Sequence, residues 1–296
     1  MGPLLGGIEA GGTKFICVTG HKPGEIEQRA VIPTTTPEET LGAAIAFFRE
    51  HGPVASLGVA SFGPLVLDKA SQRYGQVAAT PKAGWTGADL SGVLAKALGC
   101  PVNLDTDVNG AGLAEARLGA AQGLDVVVYI TVGTGLGGGL IVDGKPVQGL
   151  THPEMGHVRV RRHPLDEGFK GVCPFHGDCM EGLTSGPAVM ARLGFPLNEA
   201  PLDHPIWNIL GYYLGELCAS LCLIASPRQI ILGGGVMSNH ALFPLIRTAC
   251  AEALAGYVQH TDIGSESFIV PPGLGDKAGA IGALLLAQDV LADRSA

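Results

Sequence analysis

Charged side chains are few in this chain: Asp, Glu, Lys and Arg together make up 16% of its 296 residues. The formal charge is -8, and Lys and Arg never form a long block. Neutralising a phosphate backbone or an anionic bilayer takes clustered cations, so nucleic acid and membrane surfaces are excluded as main partners. No leader is expected either, because the first strand-like run begins at Leu4 with no charged and apolar segment before it. The expected setting is therefore cytoplasmic. The longest apolar stretch, from Ile209 to Ala225, is short for a membrane span, carries Tyr212 and Glu216, and reads as a buried core helix. Paired cysteines are lacking too. The count is seven, and Cys17, Cys100, Cys218, Cys222 and Cys250 stand singly in apolar segments. No disulfide framework follows, and these five read as small core residues.

What the chain has in quantity is apolar residues, at 46%, and 45 glycines. That is the composition of a well-packed α/β protein, and the length suits two domains better than one. "LLGGIEAGGTKFICV" reads as strand, glycine turn, strand, with a third extended piece over Glu25 to Ile32. "TTPEETLGAAIAFFRE" carries a helix start: Thr36 at the N-cap, Pro37 at the first helical position, Glu39 closing a capping box. A strand at "ASLGVASFGP", a helix from Asp89 to Leu98, a strand at "PVNLD" and a helix after Asp107 follow. At "VVVYITVGTGLGGGLIV" the opening pattern of strand, glycine turn and strand recurs. The recurrence predicts two related α/β halves facing one another across a cleft, with a boundary near Ala116. A loop-rich insert from His152 to Glu181 comes next, then helices from about Ser185 to Ala225, the strand "QIILGGGV", a helix, the strand "FIVPP" and a terminal helix from Asp276.

The two glycine turns, "EAGGTK" and "TVGTGLGGG", lie between paired strands. Neither leads from strand into helix, as a Walker loop or a dinucleotide fingerprint must. Either one alone reads equally well as a tight hairpin. As a pair they read as a phosphate clamp, in which backbone N–H groups and the hydroxyls of Thr13, Thr131 and Thr134 converge on anionic oxygen. "ILGGGVM", Ile231 to Met237, ends a strand in bare backbone on which a flat purine can lie. "LDTDVN" places Asp105 and Asp107 at a strand end, where Asp107 is either the N-cap of the next helix or a general base. Arg161, Arg162 and His163 read as a solvated basic rim, and His152 has no assigned role.

In their order, "EAGGTK", "TDVNGAGLAE", "TVGTGLGGG", "EMGH", a Cys-rich knot and "ILGGGV" resemble the ROK family of sugar kinases, within the actin-like ATPase superfamily, over essentially the whole chain. "TPKAGW", "THPEMGH" and "CPFHGDC" are similar to its bacterial fructokinase branch. The resemblance implies an α/β fold of two actin-like, ribonuclease H-like domains flanking a cleft. Residues 1–116, joined by a C-terminal helix over 282–296, would form one domain, and residues 117–281, with a zinc loop over 152–181, the other. It implies ATP-dependent phosphorylation of fructose at O6, with glucose or mannose as the alternative acceptor. A sugar-sensing regulator is the more distant alternative, and its DNA-binding helices would precede the first strand, where only three residues stand.

The resemblance assigns Asp107 as catalytic base. It implies ATP contacts at Gly11, Gly12, Thr13, Lys14, Thr131, Gly133, Thr134, Gly135, Pro187, Gly233, Gly234, Gly235, Val236 and Met237. Sugar contacts are implied at Gly63, Asp107, Glu154, His157 and Glu181, where a lone Glu would otherwise read as a solvated charge. Mg2+ accompanies ATP, and a homodimer is implied. Two positions depart from the family pattern: Thr106 stands where Asn is usual, and Glu9 where Asp is usual. In "CPFHGDC", Cys173, His176 and Cys179, with His157 sixteen residues upstream of Cys173, make a Cys2His2 set for a closed structural zinc site. A zinc hydrolase would need an open coordination position instead, and a redox pair would need Cys-x-x-Cys.

Overall fold

The computed structural model describes residues 2–295; Met1 and Ala296 lie outside the described residues, so the expected final helix is seen to Ser295. The chain divides into two compact units, one holding residues 2–119, 148–152 and 276–295, the other Ala120–Val147 and Pro153–Gly275. The first unit's break at Gly119 lies near the expected boundary at Ala116, while His152, the first residue of the expected insert, is grouped with the first unit.

In the first unit, β1 (Leu5–Ala10) and β2 (Lys14–Gly20) form the antiparallel hairpin around the first glycine turn, and β3 (Gln28–Pro33) adds to β2. Helix α1 (Pro37–Glu50) starts as its sequence dictates, with the Thr36 hydroxyl accepting the Glu39 N–H at 3.3 Å. Strand β4 (Ser56–Ser61), helix α2 (Leu90–Leu98, capped by Asp89), strand β5 (Val102–Thr106) and helix α3 (Asp107–Leu118) follow. The sheet order is β3-β2-β1-β4-β5, with β1, β4 and β5 parallel. Ile8, Phe15, Leu57, Val59 and Leu104 of the sheet are buried with Phe47 and Phe48 of α1 and Trp85.

The second unit repeats the plan. β6 (Val126–Val132) and β7 (Leu136–Val142) form the second glycine hairpin, and β8 (Lys145–Pro146) pairs with β7. Helices α4 (Met180–Thr184), α5 (Gly186–Leu193) and α6 (Ile206–Ala225) precede β9 (Gln229–Gly233), α7 (Leu242–Leu254) and β10 (Ile269–Val270). The sheet order, β10-β9-β6-β7-β8, matches the first sheet strand for strand. The apolar run at 209–225 lies in α6; this helix is long and apolar enough to cross a bilayer, yet most of it is buried in the second core. Gly211 and Gly215 let α7 approach closely, since a side chain there would strike Leu245 or Ala249. All seven cysteines are unpaired and buried.

The chain's last helix, α8 (Ala278–Ser295), packs on the first unit. A Cβ on Gly58 of β4 would run into the Ala283 carbonyl, and one on Gly282 would run into that of Gly110 in α3. Strand, α3 and α8 therefore meet backbone to backbone, which only glycine permits.

Candidate functional site

Parallel strands place the loops that follow them along one edge of the sheet, where α/β proteins bind ligands. In the first unit Ala10 pairs with Ser61 and Ser61 with Thr106, so the carboxyl ends of β1, β4 and β5 lie side by side. That register brings the Gly11–Lys14 turn, Gly63 and Asp107 to a common edge. The turn is closed by the Gly11 N–H on the Lys14 carbonyl at 2.9 Å and braced by Thr34, which donates its hydroxyl to the Gly11 carbonyl at 2.8 Å. Gly12, Thr13 and Lys14 are exposed, and a Cβ on Gly12 would meet nothing within 4 Å.

Asp107 is the first residue of α3 and half-buried, and its Oδ1 accepts the Val108 N–H at 2.9 Å. It is not the N-cap. Thr106 takes that role, its hydroxyl accepting the Asn109 N–H at 3.2 Å. The carboxylate is thereby left in the first helical turn, where the helix dipole favours negative charge. Asp105, one residue before the cap, is buried. Its Oδ1 accepts the Thr106 N–H and Asn109 Nδ2, both at 2.7 Å, and its Oδ2 accepts Gln148 Nε2 at 2.9 Å. Burial raises its pKa, opposed by these hydrogen bonds and by His152.

Glu9 sits in β1 just before the glycine turn, its carboxylate against Gly279 in the first turn of α8. Burial pushes it up to about 7, with Asp107 and Asp276 adding to the rise and Lys14 and Arg29 opposing it. Its Oε2 is buried with no hydrogen-bond partner among the described residues. Next to Gly63, the buried His152 ring accepts the Leu65 N–H on Nε2 at 3.3 Å.

In the second unit, a cavity of about 600 Å3 opens beside the glycine turn. Gly133, Thr134, Pro187, Gly235 and Val236, all expected nucleotide contacts, line it, together with Met190, Leu197, Asn198 and Ser238. Thr131, Gly135, Gly233, Gly234 and Met237 stand beside it without lining it. Gly234 has φ of 92°, and a Cβ there would collide with the Val132 backbone, so the bare backbone at this bend is required. The Gly186 N–H donates to the Gly133 carbonyl at 2.7 Å, tying the start of α5 to the turn. Ser185, Gly186 and Pro187 are a readable helix start, with Ser185 as N-cap. Met190 and Asn198 carry no local signal.

The "EMGH" segment packs on β7. A Cβ on Gly156 would run into the Leu136 carbonyl, and one on Gly138 would lie 2.7 Å from Met155 Sδ. Glu154 is exposed and His157 half-buried. Glu181, in α4, reaches the glycine turn: its Oε2 accepts the Leu136 N–H at 3.1 Å. The four expected metal ligands converge, with one donor atom each from His157, Cys173, His176 and Cys179 within 4.8 Å of one another. His157 Nδ1 lies 3.5 Å from Cys179 Sγ and 3.9 Å from Cys173 Sγ, which is 3.7 Å from His176 Nδ1. Bonds of about 2.0–2.3 Å to a tetrahedral zinc would hold ligand atoms roughly 3.3–3.8 Å apart, so the donor set fits.

Arg162 is not part of a solvated rim. It donates to the Asp166 and Phe169 carbonyls, while Arg192 holds the Asp166 carboxylate by two bonds of 2.9 and 2.8 Å and Tyr213 donates to it at 2.9 Å. This buried group fastens the loop to α5 and α6.

The ROK family profile matches residues 5–290. Fructokinase of Zymomonas mobilis is 46% identical over 291 residues, covering 96% of each chain. Among solved structures, the ROK hexokinase of Thermus thermophilus superposes with a TM-score of 0.78 at 25% identity, over 98% of this chain and 99% of that one. A ROK glucokinase from Streptomyces griseus, solved with glucose and AMPPNP, does so with a TM-score of 0.76 at 27% identity, over 97% and 99%.

Proposed function

Because the chain belongs to the ROK family, we propose that it is an ATP-dependent hexose kinase whose preferred acceptor is fructose, yielding fructose 6-phosphate and ADP. The observation that carries this reading is the placing of Asp107 and the Gly11–Lys14 turn on one carboxyl edge, with Thr106 relieving Asp107 of the cap. Asp107 accepts the proton of O6 as that oxygen bonds to the γ-phosphorus and the bond to the bridging oxygen of ADP breaks. The acceptor is fructose by likeness to the curated fructokinases, which are up to 46% identical over nearly the whole chain.

ATP takes its purine into the cavity at Gly133, Thr134, Pro187, Gly235 and Val236, and its phosphates to the two glycine turns. Thr131, Gly135, Gly233, Gly234 and Met237 shape those turns and the cavity's edge. Mg2+ enters with ATP, and the unpartnered Glu9 Oε2 is a donor in the first unit that fits its hydration shell. Gly63, Glu154, His157 and Glu181 hold the sugar with Asp107. His157, Cys173, His176 and Cys179 hold structural Zn2+, His157 through Nδ1, which leaves its Nε2 for the acceptor. With four protein ligands the metal has no open position, so it stiffens the loop and activates no water. The same reading includes a cytoplasmic setting, where ATP is kept, and a homodimer, to which the exposed Leu223 and Ile224 offer apolar surface.

A coupled ADP-release assay across fructose, glucose, mannose and N-acetylated hexoses, with zinc measured on the same preparation, tests the reading. The expected result is turnover highest on fructose and about one zinc per chain. A higher kcat/KM on glucose or mannose would transfer the assignment to that hexose, and ATP turnover on none of them would end it.

A further inference from the structure

Between β8 and the zinc loop, residues Gln148–His152 leave the second unit's sequence and are counted with the first. Two hydrogen bonds fasten this strap. Gln148 Nε2 donates to the buried Asp105 Oδ2 at 2.9 Å, and the Leu65 N–H donates to His152 Nε2 at 3.3 Å. The strap carries little apolar anchoring of its own, since the Leu150 side chain is fully exposed and Gln148 and Gly149 are exposed as well. Only its end, His152, is buried, at 7% exposure.

Both fastening points lie at the carboxyl edge that carries Asp107. Asp105 is two residues before it at the tip of β5, and Leu65 follows the Phe62–Pro64 bend at the tip of β4. A Cβ added to Gly63 would stand 3.6 Å from His152 Cε1 and Nε2, so the imidazole forms a wall of the space Gly63 opens. Because Nε2 accepts a hydrogen bond, the neutral ring carries its proton on Nδ1. An exposed strap tied at two points onto the tip of the catalytic strand, and ending in a buried imidazole, has the build of an acceptor-site wall rather than of a core element.

We propose that the Gln148–His152 strap determines acceptor specificity, with His152 as a wall of the hexose site and the Gln148–Asp105 bond as the positioning contact that holds it. The inference rests on the kinase reading above. It assigns hexose choice to a segment outside the residues that chelate the sugar or the metal. A rigid wall fixed by two hydrogen bonds discriminates hexoses by the shape of the space it leaves beside Gly63.

The test is steady-state kinetics of the full chain and of His152→Ala and Gln148→Ala on fructose, glucose and mannose, with thermal melting and zinc content on each preparation. Activity of the unaltered chain on any hexose settles the kinase reading first, and the strap is then judged on the ranking of hexoses by that chain. We expect KM for the preferred hexose to rise at least tenfold in His152→Ala and several-fold in Gln148→Ala. The ratio of kcat/KM between preferred and second hexose should fall by a similar factor, with KM for ATP within twofold and zinc unchanged. Gln148 is exposed, so its truncation opens no cavity and keeps the test alive should His152→Ala misfold. An unchanged hexose ratio in a folded Gln148→Ala chain, or an equal loss on all hexoses through kcat alone, would overturn the proposal.

Discussion

Glu9 is a carboxyl group that burial holds protonated up to about pH 7, beside Asp107, whose charge adds to the rise. Its folded pKa lies above the ordinary 4.5, so the unfolded chain gives up this proton first as pH rises. Stability from this group is therefore greatest below about 4.5 and is lost between there and about 7, by up to about 3 kcal/mol. Glu9→Gln should abolish that loss. Melting temperatures of parent and variant, compared from pH 5 to pH 8, should diverge in the variant's favour as pH rises; parallel curves would refute the buried proton. Asp107→Asn tests the neighbouring group. It keeps the half-buried shape and removes the base, so kcat should fall by roughly 10²–10⁴ with zinc content and melting temperature preserved. The proposed role of Asp107 as base comes from the resemblance, because strand-end Asp before a helix is so often a cap. Thr106 could have been read as the cap from its type and place, and it is the residue that frees Asp107. The buried state of Glu9 was not readable, since Gly279, which lies against it, is 270 residues away along the chain.

Elements connect these residues across longer stretches. The Cys-rich loop begins and ends on backbone hydrogen bonds, Val172 N–H to Gly182 at 3.0 Å and Met180 N–H to Val158 at 3.0 Å. Its end runs into α4, which delivers Glu181 to the Leu136 N–H at the second glycine turn. A metal clamped at one end of this path would therefore stiffen a carboxylate at the other. Cys173→Ser removes one of four ligands, and three are a poor hold for structural zinc. The expected outcome is a chain without zinc, with a melting temperature lower by roughly 5–10 °C and a raised KM for fructose; zinc content equal to the parent's would exclude the four-ligand site. That Cys173, His176 and Cys179 would cluster was legible because six-residue spacing and turn-forming Pro174 and Gly177 leave few other uses for two thiols and an imidazole. The Asp166–Arg192–Tyr213 group was not, because its members are 26 and 47 residues apart and none carries a pattern of its own.

At the scale of the whole chain, the duplication was visible in two glycine hairpins, and it is complete in the two sheets, whose strand orders correspond one to one. The C-terminal helix was expected with the first half, whereas the strap at 148–152, flanked on both sides by the second unit's sequence, was not; what the sequence hid of α8 is how it packs. Contacts of that kind depend on close backbone approach, and glycine, which allows it, leaves no hydrophobic period to read. Gly282 is the place to test the consequence. A Cβ there would strike the Gly110 carbonyl, so Gly282→Leu must push α8 off α3 and β4, at a cost of about 1–3 kcal/mol or more. The chain has two tryptophans, Trp85 in the first core and Trp207 in the second, and both are buried. Each unit can thus be followed alone, Trp85 in a Trp207→Phe background and Trp207 in a Trp85→Phe background. In urea, the Gly282→Leu change should move the Trp85 transition to lower concentration while the Trp207 transition and the zinc content hold. Were the two emissions to shift together, the units would be one cooperative body, and α8 would stabilise both through it.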